Sequence, residues 1–183
     1  MAAAQYGGLY PLNFKLRLLS MCATHVKRFP RIIGGFIAVL VFVADQVSKI
    51  VVQRTIPEHT TVPILPHFFN LIHTHNAGAA FGLFSDSPAP WKTGLLIVVS
   101  SALLAMVIAV MWRNHRLRWV TGVGLALILG GALSNLFDRI RFGRVVDFLD
   151  VYYRSYHWPT FNLADSAIVV GALLLVFRLL FLE

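Results

Sequence analysis

Four of the chain's eight acidic residues, Asp138, Asp147, Asp150 and Asp165, fall within the stretch GGALSNLFDRIRFGRVVDFLDVYYRSYHWPTFNLADS, from Gly130 to Ser166. The stretch starts inside one hydrocarbon-length apolar run and ends inside another, which sets its carboxyls at or near membrane depth. An ionised side chain at the bilayer centre costs about 2.5 to 3.5 kcal/mol on insertion scales, so such residues are candidates for chemistry before anything else. Asp147 has the apolar neighbours Val145, Val146, Phe148 and Leu149, which raise a carboxyl pKa by desolvation. Asp165 lies three residues past Asn162, a good N-cap, where the helix dipole favours a negative charge. A cap alone would explain both of those residues; chemistry needs a partner. If Asp147 meets Asp165, unequal surroundings leave one carboxyl ionised and one protonated near neutral pH, which is what activating a water against a peptide carbonyl requires. Asp150 competes with Asp147, because the two could share a helical face. On these residues alone a proton- or ion-coupled transporter stays open beside a peptidase.

The elements that must hold these groups are legible in the hydropathy. The 183 residues are 57% hydrophobic and 13% charged, with a mean hydropathy of +0.71. That leaves too little polar surface to coat a soluble globule. Four runs reach the roughly 20 residues a bilayer core demands: Ile32 to Gln53, Trp91 to Trp112, Leu117 to Phe137 and Asn162 to Leu182. The predicted fold class is an all-α polytopic membrane protein of four transmembrane helices. A basic arm covers residues 1–31 and one membrane domain covers 32–183.

Lys15, Arg17, Lys27, Arg28 and Arg31 precede the first span with no acid among them, and Arg113, Arg116 and Arg118 lie between spans two and three. The positive-inside rule puts both segments, and hence both termini, in the cytoplasm. The long connections Arg54 to Pro90 and Asp138 to Phe161 then lie outside. The net charge of +8 is accordingly a topology signal, and nucleic acid is not an expected partner. Trp91, Trp112, Trp119 and Trp158 mark span boundaries, where an indole prefers the interface. The single cysteine, Cys22, excludes a disulfide framework within the chain.

Within the first span, Asp45 and Lys49 stand four residues apart in the favourable order against the helix dipole. A structural ion pair and a role in the site are both consistent with them. Ser48 and Lys49 do not read as a nucleophile and its base, since helical neighbours point about 100° apart. The outer connection is too long for a plain loop. Its TTVPILP and HFFNLIHTHN segments are β-branched, aromatic and proline-bounded, predicting a small outer sheet in a β-rich insertion of about 55–90. His73 and His75 alternate onto one strand face but lack a third ligand, so no metal and no cofactor is expected. In the third span Gly122, Ala126, Gly130 and Ser134 recur every four residues, a strip that lets a neighbouring helix come close. Asn135, Asp138 and Arg139 cluster on its last turn.

Five stretches carry a resemblance when taken in order: D-Q-x-x-K at Asp45 to Lys49, N-A-G-A-A-F-G at Asn76 to Gly82, G-G-A-L-S-N-L-F-D-R at Gly130 to Arg139, V-V-D-F at Val145 to Phe148, and F-N-L-A-D-S at Phe161 to Ser166. Together, over roughly residues 32–182, they resemble the motifs of bacterial lipoprotein signal peptidase (signal peptidase II). The resemblance implies an intramembrane aspartic endopeptidase of the bacterial inner membrane. Its substrates would be prolipoproteins whose cysteine already carries diacylglycerol, cut on the N-terminal side of that cysteine. It implies Asp147 and Asp165 as the catalytic pair, in preference to Asp150. It also implies Asn76, Gly78, Asn135, Arg139, Asn162 and Ala164 as residues shaping the site and holding substrate, with Asp45, Lys49 and Asp138 in support. A small extracytoplasmic β-cradle belongs to the same expectation; a monomer, with membrane lipid as partner, is expected beside it. Ser134 departs from the family's pattern, which has glycine there. Topology reaches the same side independently: a signal peptide inserts with its amino end inside, so its cleavage site emerges outside, where the charge count puts both aspartates.

Overall fold

The computed structural model describes residues 28–76, 78, 90–114 and 117–181. Most of the expected arm, with Cys22, and most of the N-A-G-A-A-F-G motif lie outside these residues. The described elements are α1 (Arg31–Thr55), β1 (Thr61–Leu65), β2 (Phe69–Asn76), α2 (Pro90–Arg113), α3 (Trp119–Phe142), β3 (Val145–Tyr153), β4 (Tyr156–His157) and α4 (Leu163–Phe181). All four helices are long and apolar enough to cross a membrane. Their large apolar side chains, Phe36, Val39, Val98 and Leu173 among them, point outward instead of into a core, the arrangement of a bundle whose solvent is lipid.

Local chemistry sets the helix ends. α1 stops where Ile56, the residue before Pro57, turns extended, because proline disfavours helical backbone in the residue that precedes it. α3 ends at Gly143, which takes the left-handed conformation (φ 70°) and donates its N–H to the Arg139 carbonyl at 3.0 Å. This corrects the expected end at Phe137. The apolar run stops there, but the helix continues for more than a turn, carrying Asp138 and Arg139 as helical residues. Arg31 opens α1, and Phe29 is buried against Leu117, to whose carbonyl its N–H donates at 2.9 Å.

The bundle is built on α3, which packs on α1, α2 and α4. The predicted small strip faces α1: a Cβ added at Gly130 would come 2.5 Å from the Ala38 carbonyl oxygen. A second strip, not foreseen, faces α4. A Cβ at Gly131 would sit 2.4 Å from the Ala164 carbonyl, and one at Gly171 would sit 2.5 Å from that of Gly124. Backbones this close leave no room for a methyl group. Gly131→Ala is therefore expected to cost about 1 to 3 kcal/mol by overpacking, seen as a lower thermal midpoint in detergent micelles. Gly35→Ala, with nothing within 4 Å of the new Cβ, is the control and should leave the midpoint unchanged or raise it.

The connections that follow α1 and α3 build one antiparallel sheet, ordered β1-β2-β3-β4, at the end of the bundle where α4 begins. β1 and β2 form where strands are predicted. β3 and β4 come from the second connection and complete the sheet. β3 pairs with β2 in the register Thr74 to Asp147 and Asn76 to Val145, with a bulge between Leu71 and Thr74. Val52, Ile56 and Phe148 form a small apolar cluster where α1 meets the sheet. Arg28, Arg31, Arg113, Arg118 and Arg178 all lie toward the opposite end.

Candidate active site

The first turn of α4 organises the site. Asn162 caps the helix: its Oδ1 accepts the Asp165 N–H at 3.0 Å, while Asp165 Oδ2 accepts the Asn162 N–H at 3.2 Å. This is a reciprocal capping box with aspartate in the third position. A third N–H of that turn, from Ala164, donates to Asp45 Oδ1 at 2.9 Å, so an anion from α1 answers the positive end of α4. The capping residue also reaches sideways, its Nδ2 donating to Asp147 Oδ1 at 2.7 Å. One buried asparagine thus links both predicted carboxylates.

The remaining oxygens are held by two further amides. Asn76 Nδ2 donates to Asp147 Oδ2 at 2.9 Å, and the Gly78 N–H, donating to Asn76 Oδ1 at 2.8 Å, keeps that amide turned toward the carboxylate. Asn135 Nδ2 donates to Asp165 Oδ1 at 2.8 Å, while its own Oδ1 accepts from Lys49 Nζ at 3.0 Å. Arg139, partly buried one turn further on, places its charge within electrostatic reach of Asp165, Asp147 and Asp138. The carboxyl of Asp147 is pushed up to about 6, first by burial and further by the charge of Asp165, against the hydrogen bonds from Asn76 and Asn162. Desolvation by its apolar neighbours acts in the direction expected from the sequence.

Behind the pair lies a buried ion triad. Lys49 Nζ is 2.6 Å from both Asp45 Oδ2 and Asp138 Oδ2. Ser134 Oγ donates to Asp45 at 2.7 Å, and Gln46 Nε2 donates to Asp138 at 2.8 Å and to Ser134 at 2.9 Å. Sequence reasoning missed Gln46, although an amide inside an apolar span next to Asp45 was a visible signal. It also took Ser134 only as a small residue, whereas its hydroxyl is a bridge. Ser48 instead bonds back to the Asp45 carbonyl at 2.7 Å.

Asp150 is elsewhere. Residues 147 and 150 belong to a strand and not to a helix, so their side chains leave opposite faces. Asp150 accepts from Asn70 Nδ2 at 2.8 Å and pairs with His157 Nδ1 at 2.8 Å. His73 and His75 do lie together, rings 5.1 Å apart, but their Nδ1 atoms face the Ile56 carbonyl and Glu58. Among the described residues no group of three His, Cys, Asp or Glu side chains could hold a metal ion.

Residues 37–181 match the family model of signal peptidase (SPase) II. The chain is 46% identical over 144 residues to the lipoprotein signal peptidase of Solibacter usitatus, an alignment covering 79% of this chain and 88% of that protein. It is 41% identical over 145 residues to the lipoprotein signal peptidase of Desulforapulum autotrophicum, covering 79% and 90%. Two bacterial membrane enzyme structures determined by the in meso method, at 2.3 and 1.9 Å resolution, superpose with TM-scores of 0.75 and 0.74 at 30% identity. They cover 84% and 86% of this chain and 91% and 98% of their own. On this evidence the chain belongs to the signal peptidase II family.

Proposed function

We propose that the protein is an intramembrane aspartic endopeptidase that removes the signal peptide from diacylglyceryl-modified prolipoproteins, cutting on the N-terminal side of the lipidated cysteine. The observation that carries this reading is the Asn162 bridge, which gathers Asp147 and Asp165 at one point on the rim of the bundle. Asp165, held by two N–H donors, takes a proton from a water as that water attacks the scissile carbonyl. Asp147, the carboxyl pushed up to about 6, gives its proton to the carbonyl oxygen. Collapse of the resulting diol, with a proton passed to the nitrogen, releases the amine and leaves the pair ready for the next cycle. Asn76, Asn135 and Arg139 hold the substrate backbone beside them.

The sheet end is taken as the outer face of the bacterial inner membrane, because the basic segment before α1 and the short, basic α2–α3 connection both lie at the opposite end. Both termini are then cytoplasmic. A diacylglycerol tail can remain in the bilayer while its cysteine is delivered to the rim, and one chain supplies the whole set of groups, so a monomer suffices. The test is incubation of the purified protein with a diacylglyceryl-modified precursor and with its unmodified counterpart. Cleavage of the first alone is expected; cleavage of both, or of neither, overturns the assignment.

A pH dependence follows from the shift at Asp147. The working pair needs one proton, and that proton is lost as pH rises through about 6. Above this point kcat/KM should fall about tenfold per pH unit. A profile that stays level from pH 6 into the alkaline range would remove Asp147 from the acid role.

A further inference from the structure

A cavity of about 380 Å³ opens between the sheet-side ends of α1 and α3, and no residue of the catalytic pair lines it. Its walls include His75 and Val146. These are register partners on the β2–β3 ladder, each one residue away from the pair Asn76 and Val145. Strand alternation therefore turns them away from the face that carries Asp147. The cavity and the Asp147 side chain lie on opposite faces of the sheet; the cavity shares Gln46, Lys49 and Asp138 with the triad behind the pair, and the reading above gives the space itself no role.

The charge of its lining is one-sided. Of the four charged residues that line it, Lys49 and Asp138 belong to the ion triad with Asp45, and the other two, Arg141 and Arg144, are both positive. Neither has a carboxylate within ion-pair distance among the described residues, and the nearby Glu58 is already held by His75 at 2.7 Å. Arg141 is steadied over the rings of Phe137 and Phe142, 5.8 and 5.2 Å from their centroids. Gln53 adds an amide to the wall. Two guanidinium groups without a carboxylate in ion-pair distance among the described residues, beside an amide, are donors suited to phosphate oxygens.

Below this basic mouth the surface becomes apolar. Ile50 lines the cavity, and Val43 and Val39, seven and eleven residues earlier on the same face of α1, are exposed. On α3 Phe137 lines the cavity, and Leu133, one turn earlier, is exposed. Phe42 and Phe137 meet edge to face at 5.7 Å between the two helices. A free phosphate would use only the mouth; a phospholipid would use both parts.

We propose that this cavity binds the phosphodiester headgroup of an anionic membrane phospholipid, whose acyl chains lie along the apolar groove between α1 and α3. The test uses the full chain in zwitterionic micelles, titrated with dioleoyl phosphatidylglycerol or dioleoyl phosphatidylcholine and examined by native mass spectrometry. The wild type should retain phosphatidylglycerol in preference to phosphatidylcholine by about tenfold or more. Arg141→Gln with Arg144→Gln should abolish that preference, and the double lysine variant should keep most of it. Because Arg144 lies past the end of α3 and is exposed, Arg144→Gln alone leaves folding intact and should still lower the preference several-fold. Equal retention of the two lipids by the wild type, or an unchanged preference in the glutamine variants, overturns the proposal. Displacement of the bound lipid by inorganic phosphate assigns the mouth to free phosphate and overturns it as well.

Discussion

Asp147→Asn and Asp165→Asn should each abolish cleavage of a diacylglyceryl-modified prolipoprotein, lowering kcat by on the order of a thousandfold or more. An amide can neither take the proton from water nor deliver one to the carbonyl oxygen, and in the proposed mechanism the two carboxyls act as a unit, so losing either removes the cycle. The loss must be separated from misfolding, and the physical chemistry of Asp147 allows that. Its carboxyl rises from 3.8 to about 6 on burial, so the folded state binds the proton more tightly than the unfolded chain. The stabilisation that this proton provides is fully present below about pH 4 and is lost as pH rises through about 6. At neutral pH the ionised side chain is a cost to folding; the amide of Asp147→Asn removes that cost but turns its NH2 toward one of the donors Asn76 and Asn162, so the two effects oppose and the thermal midpoint should stay close to that of the wild type. Either variant cleaving at wild-type rate in a pure preparation would dismiss the dyad. A variant that fails to insert would instead mean that the carboxylates hold the fold.

The second large effect is expected at Lys49. Lys49→Met leaves Asp45 and Asp138 buried without their cation, and breaking a buried pair by removing one partner costs about 3 to 5 kcal/mol. The damage should reach the site, because Asp45 also anchors the Ala164 N–H in the first turn of α4, one residue before Asp165. That outcome would make Lys49 a positioning residue, acting through its contacts with Asp45 and Asn135. Adding Asp138→Asn to Lys49→Met removes one of the stranded charges and should recover part of both the thermal midpoint and the activity, which loss of a reacting group would not allow. An unchanged midpoint in Lys49→Met would show that water reaches the triad and that the pair contributes little.

How much of this was readable beforehand depended on the range of the interaction involved. Hydropathy located all four helices, because crossing a bilayer requires a continuous apolar run whatever its neighbours are. It misplaced the end of α3, because a helix stops where its backbone is turned by Gly143 and not where its side chains become polar. The strand character of β1 and β2 followed from branched and aromatic residues between prolines. That of β3 did not, because VVDFLDVYY reads equally well at either period until β2 is there to pair with it.

The chain alone therefore determined the membrane class, the span count, the asymmetry of charge between the two ends, and the short list of carboxylates. These are properties of composition and local order, felt by each segment separately. Residue pattern alone left Asp147 and Asp150 level, and tertiary structure separates them: pairing with β2 forces a period of two on that segment and sends the two side chains to opposite faces. Tertiary contact also brought Asn162 between carboxylates from two elements and put the hydroxyl of Ser134 on Asp45. Which groups meet across a bundle depends on helix neighbours and strand register, and these are settled by packing over distances that no local pattern encodes.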